Sequence, residues 1–493
     1  MDFAVCYLLM VAVLGIARIR LEGAKTTMKF QRLNIARFFV AVGLALFCAG
    51  AKADSGVAAV PARTSPDWLR SGTIYEIFPR DFSAAGNLDG ITAKLDDLRS
   101  LGVNILWLMP IHPIGEKARK GEFGSPYSIR DYYAIDPNCG TLDDFKKLVA
   151  GAHQRGMRVI MDLVANHTAW DSVMMTNKNF YKQDSAGHVI SPMPDWTDVA
   201  GLNYNNPELR QYMINMLKYW IRECDVDGFR CDAAPMVPTD FWEQVRASLT
   251  AVKSDIVMLD EGEKPDLLTN AFNLDYSWKL MWTMNDVLNH NAPAYNLRRS
   301  WEESLAENPK GALRMRMSDD HDETRAIARY GVNGALAASA LMFTLDGVPM
   351  LYNGMEAGDA TESADPALFD KLTICWQPHK SERPDFRDIY HDLIKLRKQN
   401  AAFRTTNVQW LHNSNESNLV TFVRADEKDE FFIAINFSNR PLDSKVDLKD
   451  ASGFVPVRIS GLQSSGNSPL PTMHLNGFEW RIYHRTNNAM AAK

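Results

Sequence analysis

From Thr73 onward, short apolar runs alternate with amphipathic helical stretches. About eight such units over roughly 330 residues confine the chain to a parallel sheet covered by helices. The strand-like runs are Thr73 to Phe78, Ile105 to Ile111, Arg158 to Val164, Asp227 to Ala233, Ile256 to Leu259, Ala271 to Asp275, Arg314 to Met317 and Val348 to Tyr352. Helical periodicity fills Leu88 to Leu101, Leu142 to Arg155 with Thr141 as N-cap, Leu209 to Glu223 and Phe241 to Lys253. An open doubly wound sheet is the competing architecture, but it usually carries a glycine-rich phosphate loop after an early strand, and none is present. The pattern therefore predicts a closed (β/α)8 barrel over 54–401. A segment rich in Asn, Asp, Pro and Ser, 168–207, makes an excursion from the rim after the third strand. Beyond Asn400, strand-like runs separated by turn residues predict an antiparallel β domain over 402–493. That domain carries no evident chemistry and is read as stabilising, with accessory sugar binding as the alternative.

The first 53 residues are read as a signal region rather than as fold. Lys29, Arg32 and Arg37 form a basic start after Met28, Phe38 to Cys48 is too short for a membrane span, and Ala51-Lys52-Ala53 gives a small-x-small cleavage site. An upstream apolar run, Phe3 to Ala17, is either a signal anchor or a sign that translation begins at Met28; the second reading is preferred. Bulky Phe47 makes Cys48 a poor lipoprotein cysteine. A secreted or periplasmic protein with no stable membrane partner after cleavage is the expectation. The segment holds seven of the chain's 54 basic and two of its 60 acidic side chains, so the remainder has 47 and 58, a net of −11. That charge disfavours nucleic acid and anionic membranes and suits a neutral substrate. Cys139, Cys224, Cys231 and Cys375 fit no metal motif; they allow three disulfide pairings, or are free thiols.

Active sites of such barrels lie at the carboxyl ends of the strands. Four predicted strands end in polar clusters: Asp162 to His167, Gly228 to Asp232, Asp260 to Glu263 and Asp319 to Glu323. One cluster would be an ordinary capping group, but four on one barrel converge about a single axis. Strand parity puts Arg230 and Asp232 on the inward face and Phe229 and Cys231 on the outward one. A structural ion pair is the plainer alternative for Arg230 and Asp232. Glu261 directly follows an apolar run and is preferred to Glu263 as a chemical group; Asp260 is expected to point outward or cap the turn.

These clusters resemble the signature regions of the α-amylase family of glycoside hydrolases: Asp162 to His167 its Asp-x-x-x-Asn-His, Gly228 to Asp232 its Gly-x-Arg-x-Asp, Glu261 its acid/base, His321-Asp322 its His-Asp pair. Gly124 to Tyr127 resembles the loop that supplies a sugar-stacking tyrosine, and the likeness runs from Tyr75 into the β domain. The resemblance implies a retaining hydrolase of α-1,4-glucosidic bonds in starch-like glucans or maltooligosaccharides. Asp232 would be the nucleophile, kept ionised by Arg230; Glu261 the acid and then base; Asp322 the stabiliser of the oxocarbenium-like state. Asp162, His167 and His321 would bind sugar hydroxyls and Tyr127 would stack beneath the ring.

Two departures stand out. Asp320 precedes the His-Asp pair where Asn is common, and Ala233-Ala234-Pro235 replaces a Lys-His pair that serves sugar binding and a calcium site. No cofactor and no tightly bound calcium are therefore expected, Asn166 being left to tie the excursion to the rim through its side chain. A transglycosylase, an α-1,6- or trehalose-acting relative, and a catalytically dead sugar-binding barrel are the alternatives; the intact trio opposes the last.

Overall fold

The computed structural model describes residues 56–361, 363–376, 385–460 and 469–486; the signal region lies outside them. Eight parallel strands close a barrel: β1 (Ile74–Ile77), β2 (Ile105–Leu108), β3 (Arg158–Val164), β6 (Gly228–Asp232), β7 (Val257–Asp260), β8 (Leu274–Asp275), β9 (Leu313–Arg316) and β10 (Val348–Tyr352). Neighbours around the barrel follow chain order and the sheet closes on itself, so the open-sheet alternative falls away. Gly228 is required where β6 squeezes between β3 and β7. A Cβ there would sit 2.4 Å from the Val257 carbonyl oxygen and 2.9 Å from Ile160 Cγ2.

The helices cover the barrel as their periodicity predicts. Helix Leu142–Gln154 starts in a full capping box: Thr141 accepts from the Asp144 amide and Asp144 accepts from that of Thr141. Trp220, on helix Pro207–Cys224, is wholly buried and its Nε1 donates to the Tyr132 carbonyl at 2.9 Å. An indole buried with its donor satisfied contributes on the order of 2–3 kcal/mol. The predicted helix over Leu88 to Leu101 is two pieces, Leu88–Thr92 and Leu95–Leu101. The sixth strand is only two residues long, because the amides of Ala271 and Phe272 still close the preceding turn onto the Leu267 carbonyl.

The excursion after β3 is tied by an antiparallel pair, β4 (His167–Ala169) with β5 (Val199–Gly201). The Asn166 carbonyl accepts from the Leu202 amide at 3.0 Å, while its side-chain amide reaches only Met236 Sδ and His167 Nδ1. The backbone, not the side chain, makes that tie. Past the barrel, β11 (Val408–Trp410), β12 (Leu419–Ala425), β13 (Asp429–Asn436), β15 (Val455–Pro456) and β17 (Trp480–Thr486) form a five-stranded antiparallel sheet. A second pair, β14 (Leu442–Lys445) with β16 (Thr472–Leu475), was not evident from composition; only alternate residues are buried. Buried Arg424 stitches this domain to the barrel, donating to the Thr344 carbonyl, and also holds the Ala402 carbonyl at the start of its own domain. Cys139, Cys224, Cys231 and Cys375 are free thiols.

Candidate active site

β6 ends in Asp232 and its neighbour β7 in Asp260, paired with Cys231, so Asp232 and Glu261 are the next positions of the same ladder. The Glu261 amide donates to the Cys231 carbonyl, extending the pairing by one residue. Adjacent strands lie about 4.8 Å apart, which sets the scale of the carboxyl separation. Between them sits Arg230, with no solvent exposure. Its Nη2 is 2.7 Å from Glu261 Oε1; its Nη1 is 3.3 Å from Asp232 Oδ1 and 3.0 Å from Asp162 Oδ1. Trp107, Tyr127 and Tyr276 surround the guanidinium, their ring centres 5.2, 5.6 and 5.7 Å away.

Three buried carboxyls thus share one positive charge, and they cannot all ionise cheaply. Burial, then the charge of Glu261, pushes Asp232 well above the usual carboxylate range, with Arg230 opposing. Burial also lifts Glu261, Arg230 pulling it down and Asp322 up. The expectation that Arg230 keeps Asp232 low is thus corrected: its pull exists but is outweighed. The pair releases its protons in two steps, so it holds one to higher pH than a lone carboxyl would. Asp232 Oδ2 is buried and has no hydrogen-bond partner among the described residues, which leaves one of its carboxyl oxygens uncommitted.

A left-handed backbone at Ala233 (φ +44°) turns its N–H onto Glu261 Oε2 at 2.7 Å. That conformation is strained for a residue with a Cβ and persists here beside the Asp232 and Glu261 carboxyls. Glu263 is taken elsewhere, ion-paired with Arg314 and accepting from the Lys279 amide, so Glu261 alone of the two meets Asp232. Asp260 pairs with Cys231 and so lies on the outward face, as expected, but beneath the helices rather than in solvent. It is fully buried, its oxygens lack hydrogen-bond partners among the described residues, and burial together with Asp275 raises it far above a normal carboxyl.

The other expected residues ring this pair. His321 Nε2 meets the Tyr127 hydroxyl at 2.7 Å and Asp322 Oδ2 at 3.4 Å, and the two rings stack with centres 5.3 Å apart. One face of Tyr127 is thereby occupied by protein. His321 Nδ1 contacts Glu76 Oε1 at 2.5 Å. Burial disfavours its charge, but Asp322 and Glu76 win and lift it to about 10, so it is an imidazolium at neutral pH. Asp322 is the most exposed member of the trio, its side chain 40% accessible. Asp162 accepts from Trp107 Nε1, the Tyr127 hydroxyl and Arg230; with no side-chain exposure it holds Arg230 rather than reaching a ligand. His167 joins that network through the Tyr127 backbone, to which its ring is hydrogen-bonded, and lies 5.4 Å from Trp196; burial lowers it to about 4, leaving it neutral. Asp320 Oδ1 accepts the amides of Asp322 and Glu323, fixing the turn that presents Asp322. Glu76, Trp107 and Tyr276 were not anticipated: each sits inside an apolar strand run or just past one, where it reads as core.

The family profile for the alpha-amylase catalytic domain matches residues 66–197 and 193–436. Alpha-amylase MalA of Haloarcula japonica is 29% identical over 78% of this chain and 58% of its own length. The intracellular maltogenic amylase of Bacillus subtilis is 29% identical over 76% and 69% respectively. The chain therefore spans between just over half and about two-thirds of these relatives' length. Among solved structures, the maltogenic alpha-amylase AmyB of Thermotoga neapolitana superposes with a TM-score of 0.75 at 29% identity, covering 85% of this chain and 99% of that one. A profile spanning most of the chain, on a closed barrel whose strand ends gather these carboxylates, places the protein in the alpha-amylase family of glycoside hydrolases.

Proposed function

We propose that the chain hydrolyses α-1,4-glucosidic bonds of starch-like glucans or maltooligosaccharides with retention. The observation that carries this is the ladder-neighbour placement of Asp232 and Glu261 about one guanidinium, with Asp232 Oδ2 uncommitted. Retention needs carboxyls roughly 5–5.5 Å apart, whereas inversion needs room between them for a water. Asp232 Oδ2 attacks the anomeric carbon while Glu261 delivers its proton to the departing glycosidic oxygen. Glu261 then takes a proton from water, whose oxygen displaces Asp232 and restores both groups. Asp322, steadied by His321 and the Asp320 turn, faces the sugar from the seventh strand's side. The small Ala233 after the nucleophile supports a preference for α-1,4 over α-1,6 bonds.

Calcium does not fit the residues present. Asp198 is ion-paired with Lys120 at 3.0 Å, Lys120 also donates to the Asp195 carbonyl, and Asp171 lies 3.9 Å from Arg130. Asp198, and more loosely Asp171, thus already have cations supplied by the chain, which supports reading the excursion as held without calcium. Export to the periplasm or medium, followed by cleavage after Ala53, completes the proposal; fractionation with N-terminal sequencing tests it. Panose and maltotriose, followed by NMR, test the chemistry. The product should first appear as the α-anomer, and the α-1,4 bond of panose should be cut first; β-anomer product would overturn retention, and faster α-1,6 cleavage the linkage preference.

A further inference from the structure

Tyr276, Trp278 and Trp282 form a continuous aromatic stack that the mechanism above does not use. Ring centres are 5.1 Å apart between Tyr276 and Trp278 and 5.9 Å between Trp278 and Trp282, with interplanar angles of 28° and 22°. The inner end is at the catalytic centre, because the Tyr276 hydroxyl accepts from Arg230 Nε at 3.2 Å. The outer end is solvent: Trp278 is partly buried, and Trp282 is 45% exposed. The two tryptophans lie one turn apart on helix Trp278–Asn289, so they share a face. The start of that helix is fixed to the turn bearing Glu261, the Tyr276 amide donating to the Gly262 carbonyl and the Lys279 amide to Glu263.

The half-exposed Trp282 indole is the outer end of a ring stack rather than an isolated surface side chain. Its backing by two further rings limits its rotation, so little entropy is lost when something flat and apolar covers it. Lys279, three residues before Trp282, and its partner Glu303 add hydrogen-bonding groups alongside. An apolar face rimmed by such groups matches a pyranose, with C–H bonds on its faces and hydroxyls at its edge. The side of the site follows from those two hydrogen bonds. β8, which leads into the stack, lies between β7 with Glu261 and β9 with the Asp322 turn, and the amides of Tyr276 and Lys279 fix the stack to the Glu261 turn. Glu261 protonates the leaving oxygen, so the stack lies toward the leaving sugar.

We propose that Trp282, held by Trp278 and Tyr276, is a stacking platform for a glucosyl unit on the leaving-group side of the scissile bond. This rests on the hydrolase reading given above. The test compares wild type with Trp282→Ala and Trp282→Phe on maltohexaose and on α-maltosyl fluoride, whose departing fluoride offers nothing to stack. Trp282→Ala should raise KM for maltohexaose about five- to tenfold with kcat little changed, leave the maltosyl fluoride unaffected, and be largely rescued by Phe. Equal KM values for wild type and Trp282→Ala on maltohexaose, or equal losses on both substrates, would overturn the platform. Calorimetric binding of maltohexaose in an Asp232→Asn background reads the same contact without turnover. If wild type cuts neither substrate yet Trp282→Ala weakens binding, the hydrolase reading fails and the platform stands; unchanged binding removes the platform.

Discussion

Replacing Glu76 with Gln isolates the charge that supports His321. The two side chains meet at 2.5 Å with almost no solvent exposure. Raising an imidazole from 6.5 to about 10 corresponds to about 5 kcal/mol of preference for the charged ring. That preference is shared among burial, which opposes it, and Asp322 and Glu76, which favour it. Glutamine keeps an acceptor for Nδ1–H but removes the charge, a loss of about 1.5–3 kcal/mol for a charge-assisted bond. It also places an amide where Glu76 Oε2 has no partner among the described residues, a further cost that does not vary with pH. His321 is a group whose folded pKa is raised. Its stabilisation is fully present below about 6.5 and is lost as pH climbs through about 10. Thermal melts of wild type and Glu76→Gln from pH 6 to 10.5 should differ by several degrees at the acid end and converge toward the alkaline end. A melting difference that stays flat across that range would show that His321 is not held charged by Glu76, and would refute the electrostatic account.

Asp232→Asn and Glu261→Gln should each lower kcat by several orders of magnitude, while Glu263→Gln, which loses only its Arg314 pairing, keeps turnover within about tenfold and lowers the melting temperature. A Glu261→Gln enzyme retaining more than about a tenth of wild-type rate would remove the acid/base assignment. Dialysis against a strong chelator should leave activity and melting temperature unchanged, whereas Lys120→Met should destabilise the excursion by unpairing buried Asp198; a chelator-induced loss restored by calcium alone would refute this.

The alternation of apolar runs with helical stretches was enough to dictate a closed barrel. A parallel strand needs a covered crossover, and eight such units without a phosphate loop leave few other ways to bury their faces. Polar residues at the ends of apolar runs located the site, because a barrel brings the ends of strands distant in sequence to one rim. Register separated Glu261 from Glu263 for the same reason: the ladder that pairs Cys231 with Asp260 sets Asp232 beside Glu261. The sequence could not show which way charge would settle. Arg230 was legible as a partner of Asp232, but three carboxyls around one buried guanidinium is a fact of three strands meeting, and it reverses the expected direction at Asp232. Glu76 looked like one polar residue in an apolar strand until β1 and the His321 loop met across the barrel mouth. The left-handed turn at Ala233 and the stack from Tyr276 to Trp282 were likewise silent, since alanine has no preference for that backbone and tryptophans one turn apart most often mark a core. Local pattern fixes which face of each element is apolar; which buried charges meet, and which aromatic is left facing water, is decided only when the elements pack.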